Sequence, residues 1–423
     1  MDNTRIPERK DVDPANTWDL SQIFESDAAW ETACADAAKL PETAASYNGR
    51  VGESAETLLA FARLQDDISL KLESIYGYAS LKGDEDTGSS FYQNMRGKAM
   101  GTLVAVSSAL SFAVPEILAI PDETMNSYYK EKPELLEFRR SFDKVRERRA
   151  HILSPELEKV LAAAGEMADS ADTIGGTLRN ADLVFPDATD KDGKKYPLTN
   201  GSLVLLLENG DRVLRENAFT TYYTKLGELK NTFASILDGQ FKQLRFFADT
   251  RKYSSTLEAS LDRTEVPTSV YTSLIEAVHG NLDKMHKYVS LRKKLLGADE
   301  LHMYDIYTPI VKDAAVKIPF EQAKATVLDA LSVLGSDYTD MLKVGFNNRW
   351  IDVYENKGKR SGAYSSGLSR PPPYVLLNHK DNLDSQFTLA HEMGHALHSY
   401  LSVRAQPACT AGYMIFVAEV AST

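Results

Sequence analysis

The sequence predicts a mainly α-helical protein, on two observations. Apolar residues recur at threes and fours through the first half and again in later stretches, and strand signals are few. Leu58, Phe61, Ala62, Leu64, Ile68, Leu72, Ile75 and Tyr76 form one such stripe, with acids and Lys71 between them. Ser154-Pro155-Glu156-Leu157 then sets a capping serine and a first-turn proline ahead of an apolar face that runs to Ala171. Leu183-Val184-Phe185, Asp192-Gly193 and Lys195-Tyr196 predict a hairpin with an Asp-Gly turn. Leu203 to Leu207 is either a strand or a buried helical turn. Helical pattern resumes over Arg215 to Phe247, Ser269 to Leu296 and Pro319 to Val344. Between Gly345 and His379 the texture changes. Gly358, Gly362, Gly367 and Pro371-Pro372-Pro373 interrupt short runs such as Tyr374-Val375-Leu376-Leu377, which predicts a small sheet placed directly before another helix.

At 423 residues and 43% hydrophobic, the chain is too long for one core and too apolar for disorder. The hairpin marks the expected division, into an N-terminal helical domain over residues 1–200 and a second domain over 201–423. A net charge of −12 argues against nucleic acid, whose phosphates need clustered cations, and against adsorption to an anionic membrane. The two cysteines, Cys34 and Cys409, lie far apart, which argues against a disulfide framework and for a reducing compartment. Met1 to Asp13 holds no apolar run that would act as a secretion signal. The longest uncharged stretch, Ala99 to Val114, is shorter than the ~18–20 residues of a spanning helix and is expected as a buried core helix. A cytoplasmic protein is expected.

The chemistry concentrates in Thr388 to His398, which reads Thr-Leu-Ala-His-Glu-Met-Gly-His-Ala-Leu-His. On a helix His391 and His395 project from one face, one turn apart, so that both imidazoles reach a single ion. Glu392 points to the side of that ion, where it can hold a water as general base; this is the zinc-hydrolase pattern. The flanking Phe387, Leu389, Ala390, Met393, Ala396 and Leu397 would embed the helix in a core, and buried imidazoles there need partners. A catalytic zinc takes a third protein ligand and keeps one position open. His398 is seven residues from His391, about 10 Å along the axis, and is expected to orient a ligand or substrate rather than bind the ion. Glu419 is the better candidate. It is an acid in the otherwise apolar, helix-compatible run Phe416 to Ser422, where burial would demand a counter-charge.

Several stretches in register carry a resemblance: Trp350 to Ser365, Pro373 to Asn378, the His391–His395 helix, and Phe416 to Thr423, with weaker echoes at Tyr304 to Tyr307 and Trp18-Asp19-Leu20. They resemble oligoendopeptidase F, within the thimet-oligopeptidase-like metallopeptidases. The resemblance implies a two-lobed helical enclosure around a deep channel, with one zinc ion on its wall, that cleaves oligopeptides and spares folded proteins. It places His391, His395 and Glu419 at the zinc ligands and Glu392 at the catalytic base. Gly362-Ala363-Tyr364 falls on a strand that pairs with an extended peptide, the alternative being a tight glycine-rich turn with no ligand. Chains of this family continue beyond the third ligand, so the C-terminal remainder of the same enzyme is expected to accompany these residues.

The expected function is a zinc-dependent endopeptidase of short peptides. One alternative is a zinc exopeptidase, which would need a charged group to capture a peptide terminus. The other is a peptide-binding scaffold with a structural metal and no turnover. Against it, structural zinc sites close with four protein ligands, and three are evident.

Overall fold

The structure, a computed structural model, describes residues 6–311 and 316–423. Helices dominate. Ser26 and Ser54 accept hydrogen bonds from the Ala29 and Thr57 N–H groups and so start α1 (Asp27–Ala37) and α2 (Ala55–Glu85). The predicted stripe is the inner face of α2: Leu58, Phe61, Ala62, Ile68 and Ile75 are buried. Next comes α3 (Ser90–Ala109), packed along α2.

The uncharged stretch Ala99–Val114 departs from expectation. Ala99, Val106, Phe112 and Ala113 are buried, but most of the others are half-buried, and the helix breaks after Ala109 before a second begins at Ala113. Pro115 explains the break: it lacks an N–H and is accommodated in the first turn of the second helix, not within a continuous one. By length and composition alone Ser90–Ala119 would suffice to cross a membrane, yet it is folded here as these two pieces.

The next predicted start holds in position: α4 (Pro155–Ala163) begins at Pro155 with Ser154 at the N-cap, but Ser154 makes no side-chain cap bond, and the helical run to Ala171 is broken at Ala164 and again at Asp169. The hairpin forms a few residues late. β1 (Ala188–Thr189) pairs antiparallel with β2 (Lys195–Tyr196), while Leu183-Val184-Phe185 lies outside the ladder. Pro186 follows directly and has no N–H to give a ladder. Phe185 instead stacks on Tyr222, ring centroids 4.5 Å apart. Leu203–Leu207 is a helical turn. The three later helical stretches each divide: α5 (Arg212–Glu228) from α6 (Lys230–Thr250) at Leu229, α7 (Thr268–His279) from α8 (Leu282–Leu296) at Gly280-Asn281, and α9 (Phe320–Ala330) from α10 (Ser336–Asn347) before and at Gly335.

The texture change at Gly345 is a three-stranded sheet. β3 (Ile351–Asp352), β4 (Tyr364–Ser366) and β5 (Tyr374–Leu376) lie in the order β3-β5-β4, with β3 parallel and β4 antiparallel to β5. β5 is wholly buried because its alternating side chains serve two cores. Tyr374 and Leu376 join Trp18, Trp30, Ile75 and Tyr78 from the N-terminal helices. Val375 faces the other way, into a core with Leu342, Trp350, Leu389 and Met393. The sheet therefore stands between the N-terminal helices and α11 (Leu383–Ala405), which is followed by α12 (Ile415–Ser422).

Two buried acids fasten this arrangement. Asp352 on β3 is fully buried; its Oδ1 meets Lys359 Nζ at 2.6 Å and its two oxygens accept from both Arg9 guanidinium nitrogens at 2.9 and 2.5 Å. The Lys359 ammonium also donates to the Tyr354 carbonyl at 2.7 Å and the Asp352 carbonyl at 3.2 Å, which uses its three protons. Asp305, likewise buried, accepts from Arg215 at 2.8 Å, Arg212 at 3.1 Å and the His302 N–H at 3.1 Å. The loop between β3 and β4 is bonded to the C-terminal end of α2. There Asn356 donates to the Glu85 carbonyl and the Arg360 N–H to the Asp84 carbonyl, satisfying groups a helix end leaves open. Gly358 adopts φ +78°, a left-handed conformation that glycine takes without strain, and a Cβ there would also fall 2.2 Å from Asp86 Oδ1 and push that side chain aside.

Removing one partner of such a cluster strands buried charge. Asp352→Ala is expected to cost on the order of 3–5 kcal/mol, read as a lower urea midpoint at unchanged slope. Burial by itself would raise the Asp305 carboxyl, but Arg212 and Arg215 outweigh it and hold the group below the ordinary carboxylate value. The native form therefore binds this proton less readily than the unfolded chain. Its stabilisation is complete above about pH 4 and is lost as pH falls through the lower native value. The stability gap between the parent and Asp305→Asn should accordingly narrow on acidification below about pH 4. A gap that stays constant down to pH 2 would contradict this account.

Candidate metal centre

The side chain of Asn382 accepts from the Ser385 N–H and starts α11. Leu389, Met393, Ala396 and Leu397 form one face and are fully buried against the sheet and α10. His391 and His395 occupy another face, with rings 4.7 Å apart and nearly perpendicular and their Nε2 atoms 3.2 Å apart. α12 brings a carboxylate to the same point. Glu419 Oε2 lies 3.5 Å from each of the two Nε2 atoms. Four donors placed tetrahedrally at ~2.0–2.1 Å from zinc would stand roughly 3.3–3.4 Å from one another. A triangle with sides of 3.2, 3.5 and 3.5 Å has that size, so the residues fit one zinc ion. Among the described residues no fourth His, Cys, Asp or Glu joins the group.

Burial differs from expectation here. The side chain of His391 is 42% exposed and that of Glu419 52%, with His395 at 16%. Phe387 is exposed as well, for the reason that brings the histidines together: at four-residue spacing it belongs to their stripe, not to the core face. On α12 only Ala418 is buried, so Glu419 sits at an open rim and not in an apolar interior.

Glu392 is the buried acid of the site. The backbone N–H of Ser365 on β4 lies close enough to favour its charged form slightly. Burial pushes its carboxyl above the ordinary range; His391 opposes this, and the charge of Glu419 adds to it. Burial also lowers the His395 imidazole, favouring the neutral form that can ligate a metal. The ring of His398 stacks on Tyr413 at 3.7 Å and 18°, outside the donor group, and its Nδ1 is buried without a hydrogen-bond partner. The Tyr413 hydroxyl is held 2.6 Å from Ser399 Oγ. In the glycine block, Gly362 turns the chain at φ +85°, Ala363 leads into β4, and the Tyr364 hydroxyl donates to Asp84 Oδ2 at 2.7 Å. Ser365 and Tyr413, which touch Glu392 and His398, carry no sequence signal of their own.

A helical scaffold holding two imidazoles, a carboxylate and an adjacent buried acid defines the class of metallopeptidase centres. The family described as Peptidase family M3 matches residues 205–423, and the one described as Oligopeptidase F matches residues 116–185. Over 419 residues the chain is 41% identical to oligopeptidase PepF of Bacillus subtilis (strain 168), covering 99% of this chain and 62% of that protein. It is 35% identical to group B oligopeptidase PepB of Streptococcus agalactiae, over 98% of this chain and 69% of that protein. The crystal structure of oligoendopeptidase-F from Enterococcus faecium superposes with a TM-score of 0.71 at 34% identity, over 94% of this chain and 65% of that one. The chain belongs to peptidase family M3. It spans 62% of the length of the Bacillus relative and 69% of the streptococcal one.

The donor triangle yields a direct expectation. His391→Ala and Glu419→Ala should each weaken zinc binding by more than about 100-fold, since each removes a ligand and not merely a neighbour of one. His398→Ala should retain the ion. Chelator competition measures all three, and loss of zinc from His398→Ala would place that residue among the ligands.

Proposed function

We propose that the protein carrying this chain is a zinc-dependent endopeptidase of short oligopeptides. His391, His395 and Glu419 hold the ion and Glu392 serves as general base. The observation that carries the reading is the donor triangle beside a buried carboxylate whose proton affinity is raised. Zinc, when bound, supplies a Lewis acid for the scissile carbonyl and acidifies a water. Glu392 accepts the proton of the attacking water at its carboxylate and returns it to the leaving nitrogen.

Support for a peptide substrate comes from the sheet and from the relatives. β4 is an edge strand, so the backbone groups on its outer side are available to an extended chain entering past Gly362 and Ala363. Recognition through backbone groups tolerates many sequences. The names of the relatives, oligopeptidase and oligoendopeptidase, agree with that substrate class.

Glu392→Gln should retain zinc while peptide turnover falls on the order of 10²–10⁴-fold, because an amide keeps the shape of the acid but cannot accept the proton. Near-normal turnover by this variant would remove Glu392 from its role. An internally quenched peptide blocked at both ends should be cut within its sequence, and a folded protein should resist. Release of terminal residues only from unblocked peptides would establish an exopeptidase instead.

A further inference from the structure

Between His391 and His395 stands Gly394, and its missing side chain is where α12 comes to rest. A Cβ at this position would lie 2.5 Å from the Ala421 carbonyl oxygen, 2.9 Å from Ser422 Cα and 3.2 Å from the Ala421 carbonyl carbon. All three are backbone atoms, so no change of rotamer relieves the overlap. Gly345 and Gly367 also stand close to this part of the fold, but a Cβ on either would first meet side chains: Met393 and Trp350 for one, the Ser399 hydroxymethyl for the other. Only at Gly394 does the obstacle belong to the helix that carries Glu419.

We propose that Gly394 is a positioning residue for the metal centre: by letting the α12 backbone approach α11, it sets the distance from which Glu419 reaches the histidine pair. The inference rests on the zinc reading above. Restoring ordinary contact at 3.4 Å would move the Ala421 carbonyl away by close to an ångström. Metal–ligand distances tolerate only about ±0.2 Å. Within these residues α12 packs on α11, with Ala418 buried and Ile415, Phe416, Val417 and Val420 exposed, so the close passage at Gly394 lies on its main seat. A glycine inside a helix is less favourable than alanine unless a contact requires it, and here the contact is visible.

The test is Gly394→Ala in the full chain, with Gly101→Ala in α3 as control, since a Cβ there meets nothing within 4 Å. Zinc affinity by chelator competition should fall about 10–100-fold for Gly394→Ala and stay unchanged for the control. The cobalt(II)-loaded variant should lose the intense visible absorption of a four-coordinate site. Hydrogen exchange should quicken in Ile415–Ser422, while the metal-free protein keeps a cooperative urea transition. Unchanged zinc affinity and cobalt spectrum would overturn the proposal, as would weakened zinc with unaltered exchange in α12. Loss of cooperative unfolding would overturn it too, by showing a global role. A parent chain that takes up no zinc refutes the metal reading and this inference together. A parent that does, matched by Gly394→Ala, refutes the positioning role alone.

Discussion

Burying a carboxylate beneath a sheet is tolerable only if cations come with it, and Asp352 collects two. Lys359 arrives from the loop that follows β3, Arg9 from a segment 343 positions earlier in the chain. Once these are placed, that loop is bonded to the end of α2 and β4 is aligned against β5. β4 in turn packs along α11 beside Glu392. A cluster of charges outside the donor triangle thus fixes the strand that runs beside the buried Glu392.

α11 divides the work between two faces. Its core face carries Leu389, Met393, Ala396 and Leu397, and burial of each large apolar side chain contributes roughly 1.5–3 kcal/mol before entropy is counted. That face anchors the helix so firmly that the imidazoles opposite need little burial of their own. The third donor comes from α12, which meets α11 through Ala418 and the close passage at Gly394. The centre therefore combines a rigid pair with a carboxylate whose place depends on backbone contact.

Local features of this fold were legible in the sequence and distant ones were not. The α2 stripe, the start at Pro155, the sheet before α11 and the His391–His395 pair follow from spacing between near neighbours. Glu419 stood out as an acid in an apolar run, though the premise of burial fails: on α12 the apolar residues around it face outward. Phe387 is apolar, but its angular position on α11 places it on the histidine stripe and not in the core. The divisions at Leu229, Gly280-Asn281 and Gly335 fall where periodicity continues across a short interruption. Arg9 with Asp352, Ser365 with Glu392 and Gly394 with Ala421 are contacts between elements, and no window of sequence contains them.

The same separation has a temporal side. The segment Pro7–Asp19 lies along residues 349–357: Asp19 donates to the Arg349 carbonyl, the Val353 N–H to Asn16 and the Lys357 N–H to Pro7. During synthesis its docking surface does not yet exist. At about 5–20 residues per second, Arg9 waits roughly 17–70 s for Asp352 to leave the ribosome. Through that interval Trp18 and the inner faces of α1 and α2 lack Tyr374 and Leu376, the sheet residues that complete their core. A segment made early is thus among the last to settle, and the newborn helices α1 and α2 carry an unfinished apolar face until then.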